Sequence, residues 1–353
     1  LFSPNFFHAI GHAVLARALC DLLRTVRGDS VTFSTVASHT ANRWLTEALT
    51  PDISTEPVPV GTPILNAMSD TRVPVPDDRG FKASVGTSWP ITKVVSWAAT
   101  RWMEEGPIPA AQVAELQANA SRFLDECGTE PGRFLVTLHV RDSGYRGPSY
   151  ADGQRDAAIE RYEMAVDAVV AAGGVVVRIG DPAMVPIRPR DHVIDYARSD
   201  RRSERLDIAL VAACRFHLGT ASGMSFVPLL FGKPVLLTNW ITPAHVMVTP
   251  NTLYLPKPLM DADCKRIPLE RQCTRYGLAI HTEHIEADGL YFQENTPEEI
   301  LDATTFLMAH LHDGRLRLTE TMVAEQKAIF SAHGLDPAPV LPPNAMAAWM
   351  ECR

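Results

Sequence analysis

Two continuous apolar runs, RFLVTLHV at 133–140 and GGVVVRIGD at 173–181, restrict the possible folds of this chain more than any other feature. A strand that is apolar on both faces needs cover on both faces, which is typical of a parallel sheet lying between helices. The stretch between the two runs, 157–172, has apolar residues at helical spacing and ends at a pair of glycines. Together these segments predict a strand, a crossover helix and a second, parallel strand.

The same alternation continues on both sides of this unit. Toward the C-terminus the segments are RLDIALVAACRFHLGT at 205–220, SGMSFVPLLFG at 222–232, KPVLLTN at 233–239 and NTPEEILDATTFLMAHL at 295–311. The last one has the sequence of a capping box, with Thr296 as cap, Pro297 in the first turn and Glu299 three residues after the cap. Toward the N-terminus, helical patterns at 14–22, about 40–49 and 110–127 accompany the β-rich run VTFSTV at 31–36. Regular alternation of this kind predicts an α/β fold.

The length of 353 residues suits two domains. We predict two Rossmann-like domains whose parallel sheets face a cleft, an N-terminal domain at 1–127 and a C-terminal domain at 128–325. The remaining residues, 326–353, are expected to form a tail or helix that packs back on the N-terminal domain. The proline-rich stretch 51–90 gives no clear order of elements and is interpreted as a long irregular excursion of the first domain.

Charge and composition exclude several classes of partner. A formal net charge of -8 gives no general attraction to nucleic acid or to anionic lipid, so any anion site must be local. No apolar run approaches the roughly 20 residues of a membrane-spanning helix, which predicts a chain with no membrane span. Six scattered cysteines form no close pairs, and this favours a reducing cytoplasm.

The small residues of GTASGMSF, 219–226, separate a predicted strand from a predicted helix. Free backbone amides at a helix start, and the hydroxyls of Thr220, Ser222 and Ser225, can converge on a phosphate there. Gly223 would let the backbone approach the ligand closely. An ordinary helix-capping turn is the alternative interpretation.

The motif HVRDSGYRG places His139 and Arg141 at the end of a strand and on the same side of it. A guanidinium binds two phosphate oxygens at once and keeps its charge, which suits a diphosphate. The alternative is a surface arginine paired with a carboxylate such as Asp142. In RIGDP, Asp181 follows the next strand, where it either accepts hydrogen bonds from a nucleobase or caps the following turn.

Metal ligands are not expected. His8 and His12 have i, i+4 spacing but lack the glutamate of HExxH, and Asp261 and Asp263 are interpreted as solvated acids in a polar connection. Four further histidines are interpreted as surface residues: His281, His284, His310 and His312.

The order HVRD, RIGDP and DIALVAACRFHLGTASGMSF resembles the donor-binding domain of protein O-fucosyltransferase-like and nodulation-type fucosyltransferases, and it is similar to a bacterial glycosyltransferase family of capsule and natural-product gene clusters. The resemblance covers about 133–240 well and the first domain more weakly. The opening IGHAVLARALCDLLRTVRGDSVTFST also resembles the start of nucleotide-sugar glycosyltransferases with two Rossmann domains, the GT-B architecture. This chain has SGMSF where many of the fucosyltransferases have paired serines, so the resemblance does not imply GDP-fucose.

The resemblance implies a glycosyltransferase that takes a nucleoside diphosphate sugar on its C-terminal domain and a small-molecule or glycan acceptor on its N-terminal side. It implies inversion, with no metal or other cofactor. Arg141 would hold the donor diphosphate beside His139, and Asp181 would approach the base. The donor pocket would be lined by Thr220, Ser222, Gly223, Met224, Ser225 and Phe226. His12 would be the general base, with His8 and Asp142 as rivals.

Two other functions remain open at this stage. A nucleotide-sugar 2-epimerase shares the two-Rossmann layout but needs two carboxylates beside the sugar, and that pair is not identified. A non-catalytic nucleotide-sugar binder is the third possibility. The donor base and sugar, the acceptor and the oligomeric state are left open by the sequence.

Overall fold

The computed structural model describes residues 10–27, 32–35, 42–49, 54–57, 73–76, 83–89, 91–145, 153–241, 247–268, 271–273, 283–335 and 338–350. The α-helices there are α1 (Ile10–Arg27), α2 (Arg43–Leu49), α3 (Ile91–Trp102), α4 (Ala110–Glu126), α5 (Glu163–Ala171), α6 (Glu204–Ala213), α7 (Glu283–Ala287), α8 (Pro297–Ala309), α9 (Glu320–Ala332) and α10 (Pro343–Met350). Short 3₁₀ helices span Ser143–Tyr145, Gly153–Arg155, Ile159–Tyr162, Tyr196–Arg198 and Gly223–Phe231.

The strands are β1 (Thr32–Thr35), β2 (Ser54–Pro57), β3 (Val73–Pro76), β4 (Ala83–Trp89), β5 (Phe134–His139), β6 (Gly174–Arg178), β7 (Val193–Ile194), β8 (Phe216–Gly219), β9 (Val235–Trp240), β10 (Thr252–Pro256), β11 (Leu259–Met260), β12 (Tyr291–Phe292), β13 (Leu311–His312) and β14 (Arg315–Leu316). Six of them form one sheet in the order β10-β9-β8-β5-β6-β7. Every pair of neighbours in this sheet is parallel. The α/β fold class with a parallel sheet is therefore confirmed.

The chain reverses its direction of winding beside β5. From β5 it proceeds through β6 to β7 on one side, and it then returns to β8 on the other side of β5 and continues to β10. The reversal leaves a crevice at the carboxyl ends of β5 and β8, and ligands of open parallel sheets bind in such crevices. The residues that follow His139 and Gly219 are therefore candidates for ligand binding.

The N-terminal half contributes the parallel pair β1–β2 and the antiparallel pair β3–β4 among its described strands. Helices α1 and α3 share one continuous apolar core with the six-stranded sheet, since buried Leu19 and Val95 belong to the same cluster as Phe216 and Leu237. The predicted boundary between 127 and 128 stays a prediction.

Most predicted elements are present, with two differences of helix type. The predicted helix at 157–172 begins as the 3₁₀ turn Ile159–Tyr162, continues as α5 and ends at Gly173, whose φ is 86°. The segment Gly223–Phe231 is a 3₁₀ helix throughout, and it contains Pro228, which has no N–H to donate to the preceding turn. The predicted capping box of α8 is confirmed, with both reciprocal hydrogen bonds formed between Thr296 and Glu299.

The described part of the C-terminal tail contacts β10 and begins inside a helix. Its predicted start at 326 lies inside α9, and the Gln326 side chain forms two hydrogen bonds with the backbone of Leu341, at 2.8 and 2.9 Å. The Tyr254 amide of β10 donates to the Val340 carbonyl at 2.9 Å. These contacts place the described part of the tail beside β10 of the six-stranded sheet, and its packing on the N-terminal domain stays a prediction.

Candidate functional site

The crevice beside β5 brings Arg141 and the small-residue loop 219–226 together. The Thr220 amide donates to the His139 carbonyl at 3.1 Å, and the Arg141 amide donates to Thr220 Oγ1 at 3.0 Å. These bonds extend the pairing of β5 with β8 by one residue beyond the strand ends. The two motifs that the sequence analysis singled out therefore lie side by side.

The loop hydroxyls have structural partners. Thr220 and Ser225 are fully buried, and Ser225 Oγ donates to the Thr220 carbonyl at 2.7 Å. The half-buried Ser222 caps the 3₁₀ helix, since its Oγ accepts from the Met224 amide at 3.4 Å. In this conformation Thr220 and Ser225 fix the loop's shape, and Ser222 is the hydroxyl nearest to solvent. Their contact with a donor phosphate stays a prediction.

A backbone contact joins the start of α1 to this loop. A Cβ added at Gly223 would lie 2.9 Å from the Gly11 nitrogen, and one added at Gly11 would lie 2.9 Å from the Gly223 Cα atom. Gly223 thus permits the close approach of helix α1, which the sequence analysis did not foresee. Phe226, half-buried, lies beside the same contact, and Met224 is buried in the core.

The contact between Gly11 and Gly223 places the backbone of His12, the proposed general base, beside the loop 219–226. His12 follows Gly11 in the first turn of α1, so its backbone adjoins the loop. The His12 side chain and all of His8 lie outside the described residues, and so do Arg146 and the Tyr145 side chain. The predicted roles of His12 and His8 stay predictions.

Three cationic residues surround one carboxylate in the crevice. Arg141 Nη1 lies 3.3 Å from Asp156 Oδ1, and the Arg141 side chain is only 8% exposed. Arg155 Nε donates to the Ala221 carbonyl at 2.9 Å, which ties this turn to the small-residue loop. Burial raises the pKa of Asp156, an effect that the charges of Arg141, Lys257 and Arg155 oppose. The chain is acidic as a whole, but here it concentrates positive charge.

Lys257 is a member of this cluster that the sequence analysis missed. Its buried Nζ donates to the carbonyls of Gln154 at 2.9 Å and of Asp156 at 2.6 Å. Burial lowers its pKa to about 8, although the carboxylates of Glu294 and Asp156 favour the charged form. The available signal was its position directly after the apolar strand TLYLP, because charged residues that follow parallel strands gather at one edge of the sheet.

The two buried histidines near the crevice are neutral at pH 7. Burial, together with the charges of Arg178 and Arg141, lowers the pKa of His139 to about 4. Burial and the neighbouring His139 lower the pKa of His217 to about 3, and its Nδ1 lies 2.9 Å from Thr137 Oγ1. His139 is therefore a neutral imidazole near Arg141 and not a second cation.

Because His139 is buried, we expect the free energy of unfolding to depend on pH in the acid range. The unfolded chain takes up a proton on His139 near pH 6.5, whereas the folded chain does so near pH 4, so folded stability is lost as pH falls across that window. We expect the free energy of unfolding to fall less steeply between pH 6.5 and 4 for His139→Gln than for the wild type. Denaturant titrations at four pH values measure the slopes. His312→Gln changes an exposed histidine and should keep the wild-type slope, while equal slopes for all three proteins would contradict the burial of His139.

Asp142 and Asp181 both have local structural partners. The Asp142 carboxylate accepts from the Gly144 amide at 2.8 Å and from the Val185 amide at 2.7 Å, so it ties the loop after β5 to the loop after β6. Asp181 Oδ1 accepts from the Ala183 amide at 2.9 Å, which is the turn-capping alternative for this residue. The role of Asp142 as a rival general base and the role of Asp181 as a nucleobase-binding residue stay predictions.

Across the described ranges, no cluster of three or more His, Cys, Asp or Glu residues has the arrangement of a metal site. Asp261 Oδ1 accepts from the amides of Asp263 and Lys265, which forms a local turn at an exposed position. His310 Nδ1 lies 2.9 Å from the Phe306 carbonyl, and His281 and the His284 side chain lie outside the described residues. None of the helices in the described part combines the length and apolar character needed to cross a bilayer.

No protein-family model matches this chain, and no curated protein matches it. Among solved structures, it is similar to the glycosyl transferase family 9 structure from Veillonella parvula DSM 2008, with 11% identity, a TM-score of 0.45, and coverage of 84% of this chain and 93% of that one. It is also similar to E. coli ADP-heptose LPS heptosyltransferase II, with 8% identity, a TM-score of 0.37, and coverage of 70% and 87%. A third similar structure is E. coli heptosyltransferase WaaC with ADP, with 9% identity, a TM-score of 0.35, and coverage of 70% of this chain and 88% of that one. Identities and TM-scores this low assign no family or activity, and the fucosyltransferase resemblance stays a prediction.

Proposed function

We propose that this chain is a glycosyltransferase that moves a sugar from a nucleoside diphosphate sugar to an acceptor hydroxyl, with inversion and without a metal ion. The observation that carries the proposal is the pairing of Arg141 with the loop 219–226 at the winding reversal of the sheet. A departing diphosphate develops negative charge, and a fixed guanidinium beside backbone amides stabilises that charge.

In the proposed reaction, the acceptor oxygen attacks the anomeric carbon while the bond from that carbon to the diphosphate oxygen breaks. The acceptor proton passes to a general base, for which His12 is our candidate. Its backbone adjoins the loop through the contact between Gly11 and Gly223. The electron pair of the broken bond stays on the diphosphate, where Arg141 offsets the charge. The nucleoside diphosphate then leaves as the second product.

The cluster around Asp156 gives Arg141 its fixed position. The Asp156 carboxylate pairs with the guanidinium. Lys257, which directly follows the edge strand β10, donates to the backbone carbonyl of the same aspartate. A guanidinium already held by its partners loses less entropy when it binds a ligand, which favours a preorganised anion site. This cluster supports diphosphate binding more directly than it supports a particular sugar or acceptor.

The test is a screen of nucleoside diphosphate sugars with mixed glycan and small-molecule acceptors, read out by mass spectrometry. We expect release of nucleoside diphosphate together with an acceptor heavier by one glycosyl residue. Formation of an epimerised sugar and free nucleoside diphosphate without any acceptor would contradict transfer, and so would binding of donors without turnover across the whole acceptor set.

A further inference from the structure

A cavity lies between the start of the helix after β5 and the loop after β6. Its volume is about 400 Å³, which is within the range of small-molecule sites. Ile159, Pro186 and Ile187 form an apolar wall, and carboxylates of Glu160, Glu163 and Asp195 lie around it. Hereafter it is called the 159–195 cavity.

Both walls of the 159–195 cavity are attached to the loop that bears Arg141. The Ala157 amide donates to the Arg141 carbonyl at 2.9 Å, and the first wall begins two residues later at Ile159. The Val185 amide donates to Asp142 Oδ2 at 2.7 Å, and the second wall begins with the next residue, Pro186. The backbone of the Arg141 loop is therefore joined to both walls of the cavity.

The charged groups of the cavity are the carboxylates of Glu160, Glu163 and Asp195 and the guanidinium groups of Arg188 and Arg198. Among the described residues, Glu160 is the one of these carboxylates that has no ion pair. Asp195 is held in place by the buried Arg178, whose Nη1 lies 2.7 Å from Asp195 Oδ1, and it also accepts from the Ile187 amide at 3.3 Å. Glu163 forms an ion pair with Arg188 at 3.3 Å, and that arginine is 61% exposed. A carboxylate accepts a hydrogen bond from an exocyclic amino group, which guanine, adenine and cytosine have. Uracil and thymine have a single ring N–H between two carbonyl oxygens, and those oxygens need donors instead.

We propose that the 159–195 cavity binds the nucleobase of the donor and selects a base with an exocyclic amino group, as in guanine, adenine or cytosine, over uracil or thymine. The flat faces of the base would lie against the apolar wall, and its amino group would donate to the carboxylates. This inference depends on the proposed function, because it places one part of the same donor.

The experiment compares binding of GDP, ADP, CDP, UDP, dTDP and inorganic pyrophosphate to the full chain by calorimetry. We expect at least one amino-bearing diphosphate to bind about tenfold more tightly than UDP and dTDP, a difference of about 1.4 kcal/mol. Glu160→Trp introduces a large side chain at an exposed cavity residue, and it should weaken that diphosphate at least tenfold while leaving pyrophosphate binding unchanged. Glu160→Gln should reduce the preference for amino-bearing bases.

Glu325→Trp, at an exposed position of α9, is the matched control and should bind every ligand like the wild type. If nucleotides and pyrophosphate bind in an Arg141-dependent way but Glu160→Trp changes neither affinity nor base preference, the cavity assignment is overturned and the proposed function survives. If none of the six ligands binds the wild type, the proposed function and this inference fail together.

Discussion

Replacing Arg141 by alanine is expected to lower turnover about 10²- to 10³-fold, the usual loss when one fixed donor to a developing anion is removed. The Arg141 side chain is nearly buried and its guanidinium pairs with Asp156, so the guanidinium is held in place before any ligand arrives. Arg141→Lys keeps the charge but loses the planar fork, and we expect it to recover only part of the rate. Steady-state kinetics with saturating donor measures both variants.

Arg201→Ala is the control for this experiment, because Arg201 is an exposed arginine that pairs with Glu126 on the surface. It should keep wild-type turnover. Circular dichroism and thermal unfolding of all the variants separate a kinetic effect from loss of the fold. Unchanged turnover for a folded Arg141→Ala protein would remove the leaving-group role from this residue.

Replacing Gly223 by alanine is expected to destabilise the fold by about 1–3 kcal/mol, the usual cost of inserting an atom into a filled space. The new Cβ would meet the Gly11 nitrogen at 2.9 Å, and backbone atoms cannot rotate away as a flexible side chain can. Urea denaturation measures the change. Because the displaced helix also carries His12, we expect the variant to lose activity even at temperatures where it stays folded.

Gly153→Ala is the matched control, since a Cβ at Gly153 has open space within 4 Å and that glycine has no left-handed backbone conformation. Its stability should stay close to that of the wild type. Gly11→Ala, on the other side of the contact, should resemble Gly223→Ala. A fully stable Gly223→Ala protein would show that α1 does not adjoin the loop as described.

The sheet and the strand-end residues could be predicted from the sequence because their signals are local. The apolar runs that form β5 and β6 are covered on both faces, and the winding order then requires Arg141 and Thr220 to follow neighbouring strands. The capping box at Thr296 was equally local, since its two hydrogen bonds join residues three apart.

The remaining features depend on contacts between distant parts of the chain, which no periodicity reveals. Gly11 and Gly223 meet across more than two hundred residues, and Lys257 reaches the turn at Asp156 from a strand on the other side of β5. The hydroxyls of Thr220 and Ser225 form hydrogen bonds that hold the loop, which the sequence did not reveal, and their contact with a phosphate stays a prediction. Small polar residues serve either purpose, and only tertiary context distinguishes the two.

The most direct test of the account is a crystal structure of the chain with a bound nucleoside diphosphate. We expect diphosphate oxygens within hydrogen-bond distance of the Arg141 guanidinium and of the backbone amides that follow Ser222. A nucleotide bound elsewhere, with neither of these groups touching its phosphates, would contradict it.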